Sequence, residues 1–178
     1  DGSVLYRFHR PQRQFNSFDE IPSIIVQTLA FIENREVLDF DYPRKNPAIE
    51  WNRFSKALVE RTIQELYPDR NAPGGSTLAT QTEKFRHSAE GRTKSGMDKI
   101  RQMLSASYRA YLGGEDTREA RKKIVLDYIN SIPLAALTGY GEVNGLGDGL
   151  WAWYRLDLNA VSSLMSEYSF EVAKKEPK

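Results

Sequence analysis

Apolar residues recur at spacings of three and four along most of this chain, and that periodicity constrains its fold more than any other feature. Such spacing places apolar side chains along one face of an α-helix, whereas strand-like alternation is scarce here. We therefore expect a mainly α fold, with a helix also at residues 49–66 and a short extended segment at residues 4–8. The clearest stripes are Ile24, Ile25, Thr28, Leu29 and Ile32; Met97, Ile100, Leu104, Tyr108 and Tyr111; and Ile124, Val125, Tyr128 and Ile129.

The length and charge of the chain restrict its class. It has 178 residues, 40% of them apolar, which predicts a single domain over residues 1–178 with one core. A net charge of +1 argues against nucleic acid as a partner, because such binders carry a clear basic excess. Cysteine is absent, and no apolar run approaches the roughly 20 residues that span a bilayer. If the protein is membrane-anchored, we expect the anchor to lie outside this chain.

A glycine-rich break before a predicted helix, residues 74–84 with the sequence GGSTLATQTEK, has features of an anion site. Glycines ahead of a helix start expose backbone N–H groups at the positive end of the helix dipole. Ser76 is placed to cap this helix. Thr77, Gln81 and Lys84 share one helix face and offer a hydroxyl, an amide and an ammonium to an anionic oxygen. The alternative is a plain capped surface helix, and the ending of a nucleotide-binding loop is absent.

Glu33 lies near the C-terminal end of the first predicted helix, ahead of a polar loop at residues 39–47. A carboxylate in such a place is usually a solvated surface group. Its position before a long loop also suits a catalytic group, since loops often carry them. Both interpretations remain open from the residues alone.

Residues 74–84 resemble the signature Gly-Gly-Ser-Thr-(Ile/Leu)-Thr-Gln-Gln-x-x-Lys of peptidoglycan glycosyltransferase domains, found in class A penicillin-binding proteins and monofunctional transglycosylases. Three further stretches agree in order. Residues 19–35 are similar to the family's Glu-Ile-Pro and Glu-Asp-Arg-x-Phe motifs, residues 98–102 to Arg-Lys-x-x-Glu, and residues 124–130 to Ile-Leu-Glu-x-Tyr-x-Asn. The resemblance covers nearly the whole chain. It implies a lysozyme-like helical domain at the extracytoplasmic face of the bacterial cytoplasmic membrane.

The resemblance also implies a reaction and its residues. In the family a glutamate, here Glu33, acts as general base on the sugar 4-hydroxyl of a lipid-linked disaccharide, which attacks the growing, diphosphate-activated glycan strand. Lys84 would stabilise the leaving diphosphate. The partners implied are the disaccharide diphosphate, the glycan strand and the membrane surface, and Mg²⁺ or Mn²⁺ is the implied cofactor. The implied catalytic residues are Glu33 and Gln102, and the implied substrate contacts are Arg35, Gly75, Ser76, Thr77, Gln81, Lys84, Lys99 and Asn130; no metal ligand is assigned.

Among the motif positions that differ from the family pattern, five leave the function with alternatives. The first is an active glycosyltransferase with a modified site. The second is a catalytically degenerate domain that still binds a lipid-linked sugar or a cell-wall partner. A lysozyme-like hydrolase is a third, although it needs a second carboxylate beside Glu33. The five positions are Asn34 for aspartate, Val37 for phenylalanine, Phe40 for histidine, Asp98 for arginine and Gln102 for glutamate.

Overall fold

A computed structural model of the chain describes residues 13–51, 54–56, 76–87 and 96–175. Within these residues the only β structure is two isolated bridges, Pro133 with Asn144 and Leu137 with Gly141, so the expectation of a mainly α fold is confirmed. The segment expected at residues 4–8 and most of the helix expected at 49–66 lie outside the described residues. The described α-helices are α1 (Ser23–Glu33), α2 (Leu78–His87), α3 (Gly96–Ala110), α4 (Arg118–Ser131), α5 (Leu146–Tyr154) and α6 (Leu158–Lys175), and 3-10 turns cover Phe18–Glu20 and Arg35–Leu38.

Helix α4 supplies much of the described core. It packs against α2, α3 and α5, and its stripe at residues 124–129 is buried as predicted. Apolar side chains from α1, from the turn after it and from the first residue of α2 close around this stripe. This arrangement brings the end of α1 and the start of α2 towards the same side of α4. The buried members include Val125, Tyr128 and Ile129 of α4, with Val26, Ala30, Val37 and Leu78 around them.

The buried face of α1 differs from the predicted one. Val26 and Ala30 are the buried residues of this helix, whereas Ile24 and Ile32 are exposed. Ile25 and Leu29, which the predicted stripe also contains, pack partly against the core. The helix that the periodicity predicted is present, but two adjacent faces of it are apolar. Only the position of the neighbouring helices decides which face is covered.

The cap of α2 lies one residue after the predicted one. Thr77, not Ser76, caps α2: its carbonyl accepts the Gln81 N–H at 2.9 Å, and its hydroxyl oxygen accepts the Thr80 N–H at 3.3 Å. The Thr80 hydroxyl oxygen in turn accepts the Thr77 N–H at 2.9 Å, which completes a reciprocal capping box. Thr117 occupies the cap position of α4, where its carbonyl accepts the Arg121 N–H at 2.8 Å.

The junction between α4 and α5 is held through the backbone. The Asn130 side chain accepts the Phe15 N–H at 3.0 Å and donates to the Phe15 carbonyl at 2.8 Å. Gly145, at the start of α5, has φ +80°, and a Cβ there would lie 2.4 Å from the Asn130 carbonyl oxygen. Only glycine fits this contact without moving the backbone. The N-terminal segment, the end of α4 and the start of α5 are thereby fixed together.

The predicted stripe on α3 points away from the protein. Met97, Ile100, Leu104 and Tyr108 are each more than half exposed, and we call them the apolar face of α3. The opposite side of this helix carries small residues, and Ala106 packs there against the alanine cluster that includes Ala79 of α2. Small residues let the helices approach closely, which leaves the large side chains on the outer face. Among the described helices, none is both long enough and apolar enough to span a bilayer.

Candidate active site

Glu33, the last residue of α1, is held by a side chain from α2. The Gln81 amide nitrogen donates to Glu33 Oε2 at 3.0 Å, and the Tyr128 hydroxyl of α4 donates to Gln81 Oε1 at 3.3 Å. Three helices thus meet at one carboxylate. Burial, together with the nearby Glu33 charge, raises the pKa of Tyr128 to about 12, so its hydroxyl remains protonated at neutral pH. The site combines a partly buried carboxylate with a chain of two hydrogen-bond donors.

Two lysines on neighbouring helices, Lys84 of α2 and Lys99 of α3, interact electrostatically. The Lys99 amine of α3 donates to the Ser76 hydroxyl oxygen at 2.5 Å. Burial, and then repulsion from the Lys84 ammonium, lower the pKa of Lys99. An anion bound between the two lysines would relieve this repulsion. Since Lys84 follows Gln81 by one turn, α2 carries both the contact to Glu33 and one of these cations.

The loop after Glu33 is anchored by Arg121, a residue that the sequence analysis did not select. Its guanidinium is 1% exposed and donates to the backbone carbonyls of Glu36 and Lys45, each at 2.6 Å. It also donates to the Thr117 hydroxyl oxygen at 3.0 Å, and Thr117 donates to the Pro43 carbonyl at 2.6 Å. Burial lowers the pKa of Arg121, although nearby acidic groups oppose this shift. These bonds fix residues 36–45, which follow the carboxylate directly.

Three of the residues predicted to contact the substrate make interactions within the protein instead. The Thr77 hydroxyl is buried and donates to the Ala48 carbonyl at 2.9 Å, so the prediction that it faces an anion was wrong for this conformation. Asn130 is occupied by the backbone of Phe15, as described above, rather than pointing to Glu33. Arg35 is exposed, and its guanidinium lies 4.5 Å from the ring centroid of Phe31. Gly75 lies outside the described residues.

Gln102, the second predicted catalytic residue, is only 6% exposed, on the side of α3 that faces the protein. Its amide carries no charge, in contrast to the glutamate that the family has at this position. Among the described residues, no group of three or more histidine, aspartate or glutamate side chains could hold a metal ion. The described residues alone therefore supply no complete ligand set for a metal ion.

A separate groove of about 900 Å³ runs between α2, α3 and α4. Its α2 wall is formed by Thr82 and Glu83, which lie on a different face of the helix from Gln81. The acidic and basic side chains along the groove neutralise one another, so the groove offers no net charge to a ligand. Its ion pairs are Glu83 with Arg109, Asp116 with Arg118, Glu119 with Lys122, and Asp127 with Lys123.

Comparison with known families fits this geometry. The family model described as transglycosylase matches residues 1–168. The chain belongs to the transglycosylase family. Its mainly helical architecture is consistent with the lysozyme-like fold of transglycosylases, and membership supports a peptidoglycan glycosyltransferase activity in general. No curated protein matches the chain at a significant level.

The sequence analysis did not select two residues that shape the site of this transglycosylase, Tyr128 and Arg121. Tyr128 was assigned to the core alone, although it lies in the motif at residues 124–130 from which only Asn130 was selected. Its position within a family motif was the available signal. The sequence signal for Arg121 was weaker: it is an arginine three residues before the buried stripe of α4. Periodicity places it close to the stripe, but only the fold shows that residues 36–45 cover it.

Proposed function

We propose that this transglycosylase polymerises a lipid-linked disaccharide diphosphate, of the lipid II type, into glycan strands with release of the lipid diphosphate. The observation that carries the proposal is the Gln81–Glu33 hydrogen bond, because it joins the carboxylate to the helix that also bears Lys84. A base at the end of α1 is thereby linked to the helix that bears a cation, and a glycosyl transfer from a diphosphate uses both groups.

The first part of the reaction belongs to Glu33. Its carboxylate takes the proton from the sugar 4-hydroxyl of the acceptor disaccharide. The freed oxygen forms a bond to the anomeric carbon of the growing strand, while the bond from that carbon to the diphosphate oxygen breaks. Gln81 holds one carboxylate oxygen at 3.0 Å, which orients the group towards the acceptor. Residues 36–45, anchored by Arg121, border the same carboxylate along the chain.

The departing diphosphate needs stabilisation of negative charge rather than a proton. Lys84 and Lys99 supply two positive charges that interact with one another, and Ser76 holds the Lys99 amine. Fixed cations aimed at developing charge lower the barrier without reorganisation during the reaction. Binding of the diphosphate also removes the repulsion between the two ammonium groups. We therefore assign Lys84 and Lys99 to the leaving group.

Dependence on Mg²⁺ or Mn²⁺ remains a proposal of its own, as does the location of the reaction. The family acts on peptidoglycan outside the cytoplasm, and we propose the outer face of the bacterial cytoplasmic membrane as the site of action. The apolar face of α3 supports this proposal, because a lipid-linked substrate keeps the enzyme at a bilayer surface.

Polymer formation from purified lipid-linked disaccharide diphosphate tests the proposed function. Glu33→Gln should lower turnover by about 10²–10⁴-fold, since no proton acceptor replaces the carboxylate. The variant should keep the thermal stability of the native chain, because an amide can still accept from Gln81. Chelation by EDTA, followed by return of Mg²⁺ or Mn²⁺, decides the metal dependence in the same assay. Robust turnover by Glu33→Gln would refute the assignment of the base.

The second candidate function is a degenerate domain that binds the substrate without transfer. The uncharged, buried Gln102 favours it, because the family has a carboxylate at this position. A native chain without turnover that binds the lipid diphosphate, and that loses binding in Lys84→Ala, would support this candidate. A gain of polymer synthesis in Gln102→Glu would then locate the defect in α3.

A further inference from the structure

The contact between Gln81 and Glu33 has a third member, and its geometry is directional. Tyr128 donates to the amide oxygen of Gln81, and the amide nitrogen donates to Glu33. We propose that Tyr128 is a positioning residue for the base: its hydroxyl fixes the Gln81 amide so that the nitrogen, and not the oxygen, faces Glu33. This inference rests on the proposed function, in which Glu33 is the base.

An amide side chain can turn by half a rotation and exchange its oxygen with its nitrogen at little cost in shape. In the exchanged orientation the amide oxygen of Gln81 would face Oε2 of Glu33, and two acceptors would repel. An ionised carboxylate only accepts hydrogen bonds, whereas a phenol hydroxyl can donate one. A donor at the far end of Gln81 therefore selects the orientation that serves the carboxylate.

Tyr128 is well placed for this task because it is itself immobile. Its side chain is 5% exposed in the core cluster of α4, so its hydroxyl has little access to water. A buried hydroxyl without a partner is unfavourable, and the amide oxygen of Gln81 satisfies it. The raised pKa described above keeps this group a donor throughout the neutral range. The core of α4 is thus connected to the carboxylate at the end of α1 through one residue of α2.

The chemical consequence concerns the direction of the carboxylate. With Oε2 held by Gln81, the plane of the Glu33 carboxylate is restricted, and with it the direction of Oε1 towards the acceptor hydroxyl. Loss of the Tyr128 hydroxyl would remove the hydrogen bond at the amide oxygen, so the Gln81 side chain would be held less firmly. The base would remain present, but a smaller fraction of molecules would hold it correctly. Turnover should therefore fall while substrate affinity changes little.

A double-mutant cycle tests this coupling. Tyr128→Phe should lower kcat by about 2- to 10-fold, the effect of one lost hydrogen bond, with KM nearly unchanged. In a Gln81→Met background the same substitution should have no further effect, because Tyr128 acts through the amide. Tyr111→Phe is the matched control, since it removes a phenol-to-carbonyl bond of 2.8 Å to Arg44 at another place. Additive losses in the double variant would overturn the proposal.

A second measurement does not depend on turnover. In ¹⁵N-labelled protein, the side-chain amide signals of Gln81 are identified by their disappearance in Gln81→Met. Tyr128→Phe should increase their exchange with solvent by about 2- to 10-fold, whereas Tyr111→Phe should leave them unchanged. Unchanged Gln81 signals in Tyr128→Phe would also overturn the proposal. If the native chain shows no turnover, the proposed function fails while the amide signals still decide the role of Tyr128.

Discussion

Arg121 is a buried cation whose described hydrogen bonds go to backbone carbonyls and one hydroxyl rather than to an acidic side chain. A guanidinium has five N–H groups in a planar fork, so one residue can bridge several carbonyl oxygens of a loop. The carbonyls of Glu36 and Lys45 lie nine residues apart, and Arg121 joins both of them to α4. Beyond the 3-10 turn at Arg35–Leu38, the loop after the carboxylate is therefore held without a strand or helix of its own.

Removal of this guanidinium should destabilise the protein strongly. Arg121→Met keeps much of the side-chain volume but removes the charged donor from the Glu36 and Lys45 carbonyls. Each lost charged hydrogen bond should cost about 1.5–3 kcal/mol in unfolding free energy. Equilibrium unfolding in urea measures the loss. Arg118→Met on the same helix is the control, because its pair with Asp116 is exposed and such pairs contribute about 0–1 kcal/mol. Equal losses in both variants would contradict the anchoring role.

The start of α2 is stabilised by Thr77 and Thr80, which cap one another. Thr80 stands where the family signature has glutamine, and its hydroxyl supplies the acceptor that completes the capping box. This departure from the family pattern therefore has a structural role. It also explains why Thr77 is not available to a substrate in this conformation: its oxygen is used by the helix and its proton by Ala48.

Loss of this cap gives a prediction for α2. Thr77→Ala should reduce the unfolding free energy by about 0.5–2 kcal/mol, the usual range for an N-cap. Thr82→Ala is the matched control in the same helix: its hydroxyl donates to the Leu78 carbonyl inside the helix, where alanine is well tolerated. Thermal unfolding followed by circular dichroism compares the two variants. A loss at Thr82 equal to that at Thr77 would argue against the capping box.

The helices could be predicted from the sequence because periodicity and caps act locally. The contacts between the helices could not be predicted in this way. The spacing of residues 124–129 identified both the helix α4 and its buried side. The same kind of spacing identified α1 and α3 but not which side the protein covers, because that depends on helices distant in sequence. Motif matching likewise selected Gln81, and the structure brings it to the predicted base Glu33. It also selected Asn130, whose amide instead holds the N-terminal segment.

Across the whole molecule, the most unusual surface is the apolar face of α3. Transfer of one exposed leucine from water to lipid is worth about 1.5–3 kcal/mol, so a single charged replacement should weaken membrane binding by about tenfold or more. We expect Leu104→Asp to reduce cosedimentation with vesicles of phosphatidylglycerol and phosphatidylethanolamine. Leu164→Asp on α6 is the matched control, because Leu104 and Leu164 are 65% and 66% exposed. An equal reduction in both variants would exclude α3 as the specific contact.

Residues 36–45 are anchored through their backbone carbonyls. The position of this loop therefore does not depend on the identity of many of its side chains. Every residue has a carbonyl, so a replacement at Asp39, Phe40 or Tyr42 leaves the bonds from Arg121 to Glu36 and Lys45 intact. The family histidine can thus become Phe40 without loss of the loop's path. The segment that follows the carboxylate in sequence can consequently diversify, and a directed-evolution library confined to these positions would vary its side chains on a constant scaffold.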